Sequence, residues 1–187
     1  MVKPSKSVAP SPISVRTRRA YFDCRFGQLH VRTAFPTTGG FDEQVTLFCL
    51  HPIDSSSRVF SRFLPEIADT RSVYAPDLPG YGESDSSPAR SIADAAGAIS
   101  DLANDLRLRQ IDLLGVQYGA GVAAELAVSR PELIRRLVLV GVPAGERTTA
   151  PKQQRLILDG ADDAQVRFDT DPKTLAKQVS AFLSGRA

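Results

Sequence analysis

The segment from Ile111 to Ser129 constrains the fold of this 187-residue chain more than any other stretch. It begins with a short, largely apolar run that predicts a buried strand. A turn of the form G-x-Q-x-G follows, in which Gln117 stands between Gly115 and Gly119. The alanine-rich residues after the turn predict a helix that ends near Ser129. A strand that leads through a tight glycine turn directly into a helix indicates an α/β fold.

The rest of the chain repeats this alternation of strand and helix. Residues 21–25 and 28–34 flank a Phe-Gly turn and predict an antiparallel hairpin. Apolar runs and helically spaced apolar residues then alternate, predicting strands at 45–50, 72–76 and 137–140 and helices at 55–67 and 91–106. Such an order implies right-handed crossovers and a mostly parallel sheet with helices on both faces. We expect one α/β domain over residues 21–187, with a ligand cleft at the carboxyl ends of the strands.

From about Tyr21 to Pro143 this order resembles the amino-terminal two-thirds of an α/β-hydrolase. The central turn resembles the nucleophile elbow of that superfamily, normally G-x-S-x-G, in which a strained turn lifts a serine above the sheet. His51 after the third strand and the segments 77–84 and 130–139 match the family pattern as well. The resemblance implies a sheet of about seven strands, no cap domain, and relatives among ester and lactone hydrolases.

The carboxyl-terminal part departs from the family pattern. After Val142 only 45 residues remain (187 − 142), so we expect the cap and the eighth strand to be missing. Residues 155–163 resemble the seventh strand and its acid loop, and the resemblance assigns Asp163 to the acid position. Asp171 is the expected N-cap of the last helix, and Pro172 its first residue.

A serine-hydrolase triad cannot be assembled from the residues at the family positions. Acyl transfer by a triad needs a nucleophile, a base that takes its proton, and an acid that orients the base. Gln117 carries an amide, which is not a useful nucleophile. The sequence has two histidines, His30 and His51, whereas the family position of the catalytic histidine falls near Gln165. Asp163 then has no histidine to orient, and we expect no serine-type hydrolysis.

An oxyanion hole needs only backbone N–H groups and can therefore persist without a triad. The resemblance assigns one donor to Tyr118, the residue after the elbow position, and the other to the loop after the third strand. Pro52 in that loop has no N–H, so Ile53 is the candidate for the second donor. Two aimed donors predict a pocket that holds a carbonyl or a carboxylate without cleaving it.

Three interpretations of this site stay open from the sequence. The first is a degenerate, non-catalytic relative that binds a small-molecule ligand or a partner in an open cleft. The second is an enzyme that needs no nucleophile, lyase- or isomerase-like, with His51 as base and the N–H groups of Ile53 and Tyr118 as oxyanion donors. The third is a truncated product without function. His30 and Asp77 are expected to be structural.

Charge and composition restrict the partners. The net charge is only +2, but five basic residues and no acid lie in the first twenty positions, which predicts a disordered basic tail over residues 1–20. Aromatic residues do not alternate with these charges, so nucleic-acid binding is not expected. No apolar run approaches the ~18 residues of a membrane span, and we expect no membrane partner. A homodimer through the exposed edge of the seventh strand stays open.

The remaining motifs point to no cofactor and no metal. Residues 119–124 fit the dinucleotide form G-x-G-x-x-A, but the preceding strand ends four residues too early and no acid follows the next strand. Asp159, Asp162 and Asp163 form an acidic cluster without a paired histidine, which does not predict a metal site. Cys24 and Cys49 lack metal spacing and no export signal precedes them, so we expect reduced cysteines and a cytoplasmic location.

Overall fold

A computed structural model describes residues 15–37, 44–86, 88, 91–142, 154–158 and 168–185. Seven strands lie in these ranges: β1 (Val15–Cys24), β2 (Gly27–Pro36), β3 (Gln44–Leu50), β4 (Arg71–Pro76), β5 (Ile111–Val116), β6 (Ile134–Val140) and β7 (Gln154–Leu158). The helical elements are a 3₁₀ turn (Ser57–Phe60), α1 (Leu64–Ile67), α2 (Ile92–Asp105), α3 (Tyr118–Ser129) and α4 (Pro172–Leu183).

The strands form one sheet in the order β1-β2-β4-β3-β5-β6-β7. The β1–β2 and β2–β4 pairs are antiparallel, and the other four pairs are parallel. The predicted mostly parallel α/β sheet of about seven strands and the predicted hairpin are confirmed. β5 is the fifth of the seven strands in this order and is buried along its whole length, so the turn after it opens within the carboxyl edge of the sheet and not at its end.

Helices cover both faces of the sheet, as the continuous apolar strands require. Successive residues of β3 point to opposite faces. Phe48 and Leu50 belong to the core under α2 and α3, whereas Leu47 and Cys49 belong to the core under α1 and α4. Each parallel strand therefore contributes to two apolar layers, and its polar groups can gather only at its ends.

Two predicted helix starts are confirmed in detail. The side chain of Ser91 accepts the N–H of Asp94, and the carboxylate of Asp94 accepts the N–H of Ser91, which completes a capping box at the start of α2. Asp171 accepts the N–H of Thr174 and Pro172 follows it, as expected for the start of α4.

Two predictions about local structure are wrong. The helix expected over residues 55–67 is instead the 3₁₀ turn and the single turn α1, because Pro65 has no N–H for a continuous helix and its ring excludes the preceding turn. The tail predicted over residues 1–20 is wrong for 15–20, which form the first half of β1 and pair with β2. Backbone pairing to a buried strand outweighs the polar composition of these residues; residues 1–14 lie outside the described residues.

Only thirteen residues, 141–153, separate β6 from β7. Residues 143–153 lie outside the described residues, but eleven residues are too few for a domain of about 50 or more. The predicted absence of a cap therefore holds for the chain between these strands. Within the described ranges, no helix is long and apolar enough to cross a membrane.

Candidate functional site

The turn between β5 and α3 has the backbone geometry of a sharp, strained elbow. Gln117 has φ +49° and ψ −110°, a backbone conformation that residues other than glycine rarely adopt. The turn is held by its own backbone: the N–H of Gln117 donates to the Val140 carbonyl at 2.8 Å, and its carbonyl accepts the N–H of Ala120 at 2.9 Å. The side chain of Gln117 is exposed at the carboxyl edge of the sheet.

The two glycines of the turn are required by close packing. A Cβ at Gly119 would lie 2.3 Å from the Leu50 carbonyl oxygen and 2.6 Å from that of His51. A Cβ at Gly115 would lie 2.3 Å from the Gly119 carbonyl oxygen. The first turn of α3 thus lies directly against the ends of β3 and β5. The G-x-Q-x-G pattern reflects this packing, which is independent of the side chain at its centre.

The predicted oxyanion donors lie at the start of α3 and in the loop after β3. Tyr118 is the first residue of α3, so its N–H has no partner within the helix and lies at the positive end of the helix dipole. Ile53 follows β3, the strand beside β5, and its side chain is 53% exposed. The parallel register of Leu50 with Gly115 brings the two loops to the same edge of the sheet. The donor roles of Ile53 and Tyr118 stay predictions.

Three aromatic rings pack against one another beside these loops. The ring of Tyr81 lies 5.6 Å from the His51 ring and 6.3 Å from the Tyr118 ring, measured between centroids. Tyr118 is half-buried, and its pKa is raised by this burial and by the neighbouring Tyr81 and Asp94. Its phenol therefore stays protonated at neutral pH and offers an O–H donor.

His51 is fully buried behind the elbow, and both of its ring nitrogens have partners. Nε2 accepts the backbone N–H of Leu78 at 2.9 Å, and Nδ1 lies 2.7 Å from the Pro52 carbonyl oxygen. Because an N–H can only donate, Nε2 carries the lone pair and Nδ1 carries the proton. Burial lowers the pKa of His51 more than the Pro52 contact and nearby Asp77 raise it. In this geometry the Nε2 lone pair accepts the Leu78 N–H, which disfavours the interpretation of His51 as a general base.

Asp77 organises the loops around this edge. Its Oδ1 accepts the N–H of Ser57 at 2.6 Å, and its Oδ2 accepts the N–H of Glu83 at 2.8 Å and contacts Nδ1 of His30 at 2.9 Å. Burial alone would raise the pKa of Asp77, but these hydrogen bonds outweigh it and the pKa is lowered. His30 is equally buried, and its backbone N–H donates to Ser84 Oγ. The structural assignments of Asp77 and His30 agree with these contacts, but the sequence did not reveal that the two residues pair with each other.

An open cavity of about 360 Å³ lies between the loops after β3 and β4. It is lined by Asp54, Ser55, Ser56, Arg58, Gly82 and Glu83. An ion pair of 2.9 Å between Arg58 and Glu83 crosses it. This polar cavity lies on the same edge of the sheet as the elbow.

The remaining predicted site residues lie elsewhere. Asp163, at the expected acid position, and Gln165, at the expected histidine position, fall outside the described residues. The residues that the structure does describe contain no cluster of three or more His, Cys, Asp or Glu side chains able to hold a metal ion. The elbow therefore brings together Gln117, Tyr118 and the loop of Ile53, with His51 held beneath them.

Comparison with known proteins places this geometry in context. Residues 45–182 match a family described as the alpha/beta hydrolase fold. An uncharacterised protein of Mycobacterium tuberculosis is 31% identical over 140 residues, which are 74% of this chain and 37% of that protein. The 2-hydroxymuconate semialdehyde hydrolase of a Pseudomonas species is 41% identical over 83 residues, 42% of this chain and 28% of the hydrolase. The chain thus spans well under half of the length of these relatives.

Solved structures agree with the fold. An N-acyl homoserine lactonase complexed with N-hexanoyl homoserine superposes with a TM-score of 0.60 at 26% identity, over 68% of this chain and 46% of the lactonase. An epoxide hydrolase from Vigna radiata has the same TM-score at 23% identity, over 68% of this chain and 40% of that enzyme. The second likeness supports the fold only.

Proposed function

Since the chain belongs to the alpha/beta hydrolase fold family, we propose that it is a non-catalytic relative of small-molecule hydrolases, which binds a carbonyl or carboxylate compound at the elbow. The observation that carries this proposal is Gln117 itself. It occupies the strained apex with its side chain exposed, directly before the N–H at the start of α3. The apex therefore presents an amide in place of a nucleophile, beside a helix amino terminus suited to an oxygen that carries negative charge.

The chemistry of the apex favours binding over turnover. A primary amide donates and accepts hydrogen bonds but does not form acyl intermediates. The two histidines are both held by buried hydrogen bonds, His30 with Asp77 and His51 with Leu78 and Pro52. Both rings are also buried, which disfavours either of them as the base for a ligand at the elbow. The same burial speaks against the lyase- or isomerase-like alternative.

The relatives suggest the chemical class of the ligand. The names of the semialdehyde hydrolase and of the lactonase denote carbonyl compounds. A variant of the lactonase with a serine changed to glycine is described as complexed with N-hexanoyl homoserine lactone, at 26% identity to this chain and a TM-score of 0.59. A site of this fold can thus hold an acyl lactone after the loss of a serine. We infer a similar ligand class for this chain.

Calorimetric titration with N-hexanoyl homoserine lactone, combined with an ester-hydrolysis assay, tests the proposal. We expect saturable binding of the lactone, and no hydrolysis of p-nitrophenyl acetate above background by the parent or by Gln117→Ser. Gln117→Trp fills the mouth of the elbow and should weaken binding at least about tenfold, the loss expected for a blocked contact of about 1.4 kcal/mol or more. Gln110→Trp makes the same change at the opposite edge of the sheet and should leave binding within about twofold.

The variant Tyr118→Phe tests which group of Tyr118 donates to the lactone, the backbone N–H or the phenol O–H. It keeps the N–H and removes the phenol, so unchanged lactone binding supports the backbone donor, whereas a tenfold loss would transfer the contact to the hydroxyl. Ester turnover by the parent that disappears in Gln117→Ala would contradict the non-catalytic assignment. Absence of lactone binding to the folded parent would contradict the proposed ligand class.

A further inference from the structure

A second cavity, of about 460 Å³, opens on the hairpin side of the molecule, away from the elbow. Three arginines of the hairpin line it: Arg18 and Arg19 from β1 and Arg32 from β2. Thr17, Thr33 and Ser61 add hydroxyl groups around them. We name this cavity the arginine groove. It is concave and cationic, and the interpretation of the elbow does not use it.

The register of the hairpin places two like charges in direct opposition. Arg19 pairs with Arg32 across β1 and β2, and Arg18 pairs with Thr33. Directly opposed like charges destabilise an antiparallel pair. The Tyr21–His30 ring contact, two residues further along both strands, shows that this face of the hairpin packs closely. The chain therefore keeps an unfavourable pair where almost any polar residue would serve a structural role better.

Asp77 and Glu83 lie close enough to Arg32 to raise its pKa, but among the described residues neither forms an ion pair with the arginine groove. In the described part of the chain, no ion pair joins Arg18, Arg19 or Arg32 to a carboxylate, although ion pairs occur at several other arginines. Glu83, an acid near Arg32, is bonded to Arg58 at 2.9 Å. The Nε atom of Arg32 is buried and has no hydrogen-bond partner among these residues. Burial, followed by the charges of Arg19 and Arg58, lowers the pKa of Arg32.

From this arrangement we propose that the arginine groove is a binding site for a small phosphate monoester. Guanidinium groups present paired N–H donors that match the oxygens of phosphate in fork geometry. A dianion would offset the repulsion between Arg19 and Arg32 and provide an acceptor for the buried Nε. A cavity of this volume holds a phosphate together with a small organic group.

Phosphate is a better match than a single carboxylate on grounds of charge. Arg19 and Arg32 share one face of the hairpin, whereas Arg18 points to the other, because successive strand residues alternate. Two guanidinium groups therefore face the cavity, and a phosphate monoester carries between about 1.5 and 2 negative charges at neutral pH. The hydroxyls of Ser61 and Thr33 already donate to the Arg58 and Arg18 carbonyls, so they remain as acceptors. The guanidinium groups of Arg19 and Arg32 and the hydroxyl of Thr17 are thus the candidate donors of the site.

Titration calorimetry with inorganic phosphate and with phenyl phosphate at low ionic strength tests this site. We expect one saturable site, with tighter binding of phenyl phosphate. Arg19→Gln and Arg32→Gln should each weaken phosphate binding at least about tenfold, because each removes a charge-assisted contact. Arg109→Gln, an exposed arginine before β5, is the matched control and should change binding less than about twofold.

Folding is checked by thermal melts of the same variants. Arg32→Gln should melt cooperatively and at no lower temperature than the parent, since it removes a like-charge contact. Binding that survives in the Arg19→Gln, Arg32→Gln double variant would overturn the proposal. Cosedimentation of the parent with vesicles of phosphatidic acid and phosphatidylcholine, without any binding of the two soluble phosphates, would also overturn it in favour of a lipid surface. The lactone titration tests the elbow, whose residues do not line the arginine groove. Failure of one proposal therefore leaves the other standing.

Discussion

The amino edge of the central sheet and the elbow at its carboxyl edge use polar groups in opposite ways. At the amino edge, side chains form a buried cluster in which Asp112 binds Arg71 and Arg135. At the carboxyl edge, the elbow is built from backbone hydrogen bonds and glycine packing around Gln117. The first region depends on the identity of its side chains, whereas the second depends on the space around its backbone.

The amino-edge cluster joins the last helix to the sheet. Nε of Arg135 donates to Asp112 at 2.9 Å, and a second guanidinium nitrogen of Arg135 donates to the Leu183 carbonyl at 2.8 Å. Arg136 donates to the Phe182 carbonyl at 2.9 Å. These carbonyls end α4 and carry the negative end of its dipole, which favours cations there. Loss of a charge at this edge therefore affects both the sheet and the helix.

We expect the elbow to tolerate a change at its centre because its frame includes backbone hydrogen bonds and glycine packing that any residue at the apex can keep. The Gln117 turn keeps its strained conformation through bonds to Val140 and Ala120. A serine, a glutamine or a glycine can occupy the apex without altering those contacts. This explains how an elbow can retain its shape after losing the residue on which hydrolysis depends.

The largest effect is expected at the amino edge, from Asp112→Ala. Both Asp112 and Arg71 are fully buried, so the change leaves Arg71 charged and without its carboxylate. Removing one partner of a buried pair typically costs about 3–5 kcal/mol of unfolding free energy. Urea unfolding measures this loss. Glu132→Ala removes the carboxylate of a surface pair with Arg130 and should leave the urea midpoint unchanged. Equal losses of unfolding free energy in the two variants would mean that burial of the ion pair does not matter here.

The second expectation concerns the glycine frame of the elbow. Gly119→Ala places a Cβ against the backbone carbonyls of Leu50, the last residue of β3, and of His51, and should cost about 1–3 kcal/mol through overpacking. Gly121→Ala, two residues further in the same helix, meets only the end of the Ile92 side chain at 3.2 Å and gains up to about 1 kcal/mol in helix propensity. Urea unfolding of the two variants should therefore show opposite signs. Equal free energies of unfolding for the two variants would mean that close packing does not explain the glycine at position 119.

The sequence predicted the frame of the fold more fully than its polar contacts. Apolar periodicity and the glycine turn located the strands, the hairpin and α3, since those signals are local. The pairing of His30 with Asp77, and of Asp112 with two arginines, depends on strand order and register, which local patterns do not contain. The pairing of residues 15–20 was missed for the same reason. The sequence left the role of His51 open because it does not show which backbone groups reach its ring.

The third expectation, at the carboxyl edge, concerns Asp77 and pH. Asp77→Asn replaces an acceptor with an amide whose NH₂ group would face the N–H of Glu83 or of Ser57, at a cost of about 1–2 kcal/mol at pH 7. The pKa of Asp77 is lowered in the fold, so its contribution is present above the ordinary aspartate value of about 3.9 and is lost as pH falls towards the folded value. The parent and the variant should therefore converge below about pH 4 in urea unfolding. Asp105→Asn, at the exposed end of α2, should follow the parent at every pH.

The smallest effect tests whether the elbow still carries strain that it no longer uses. At φ +49° glycine avoids the clash of a Cβ, so Gln117→Gly should raise the unfolding free energy by about 0.5–1 kcal/mol after the entropy of the unfolded glycine is counted. Gln117→Ala keeps the Cβ and should show no such gain. A stabilised glycine variant that still folds with the same α3 would show that the turn is fixed by Gly115, Gly119 and their neighbours. A destabilised glycine variant would mean that the Gln117 side chain itself holds the elbow. The elbow and the amino-edge cluster would then both depend on side chains.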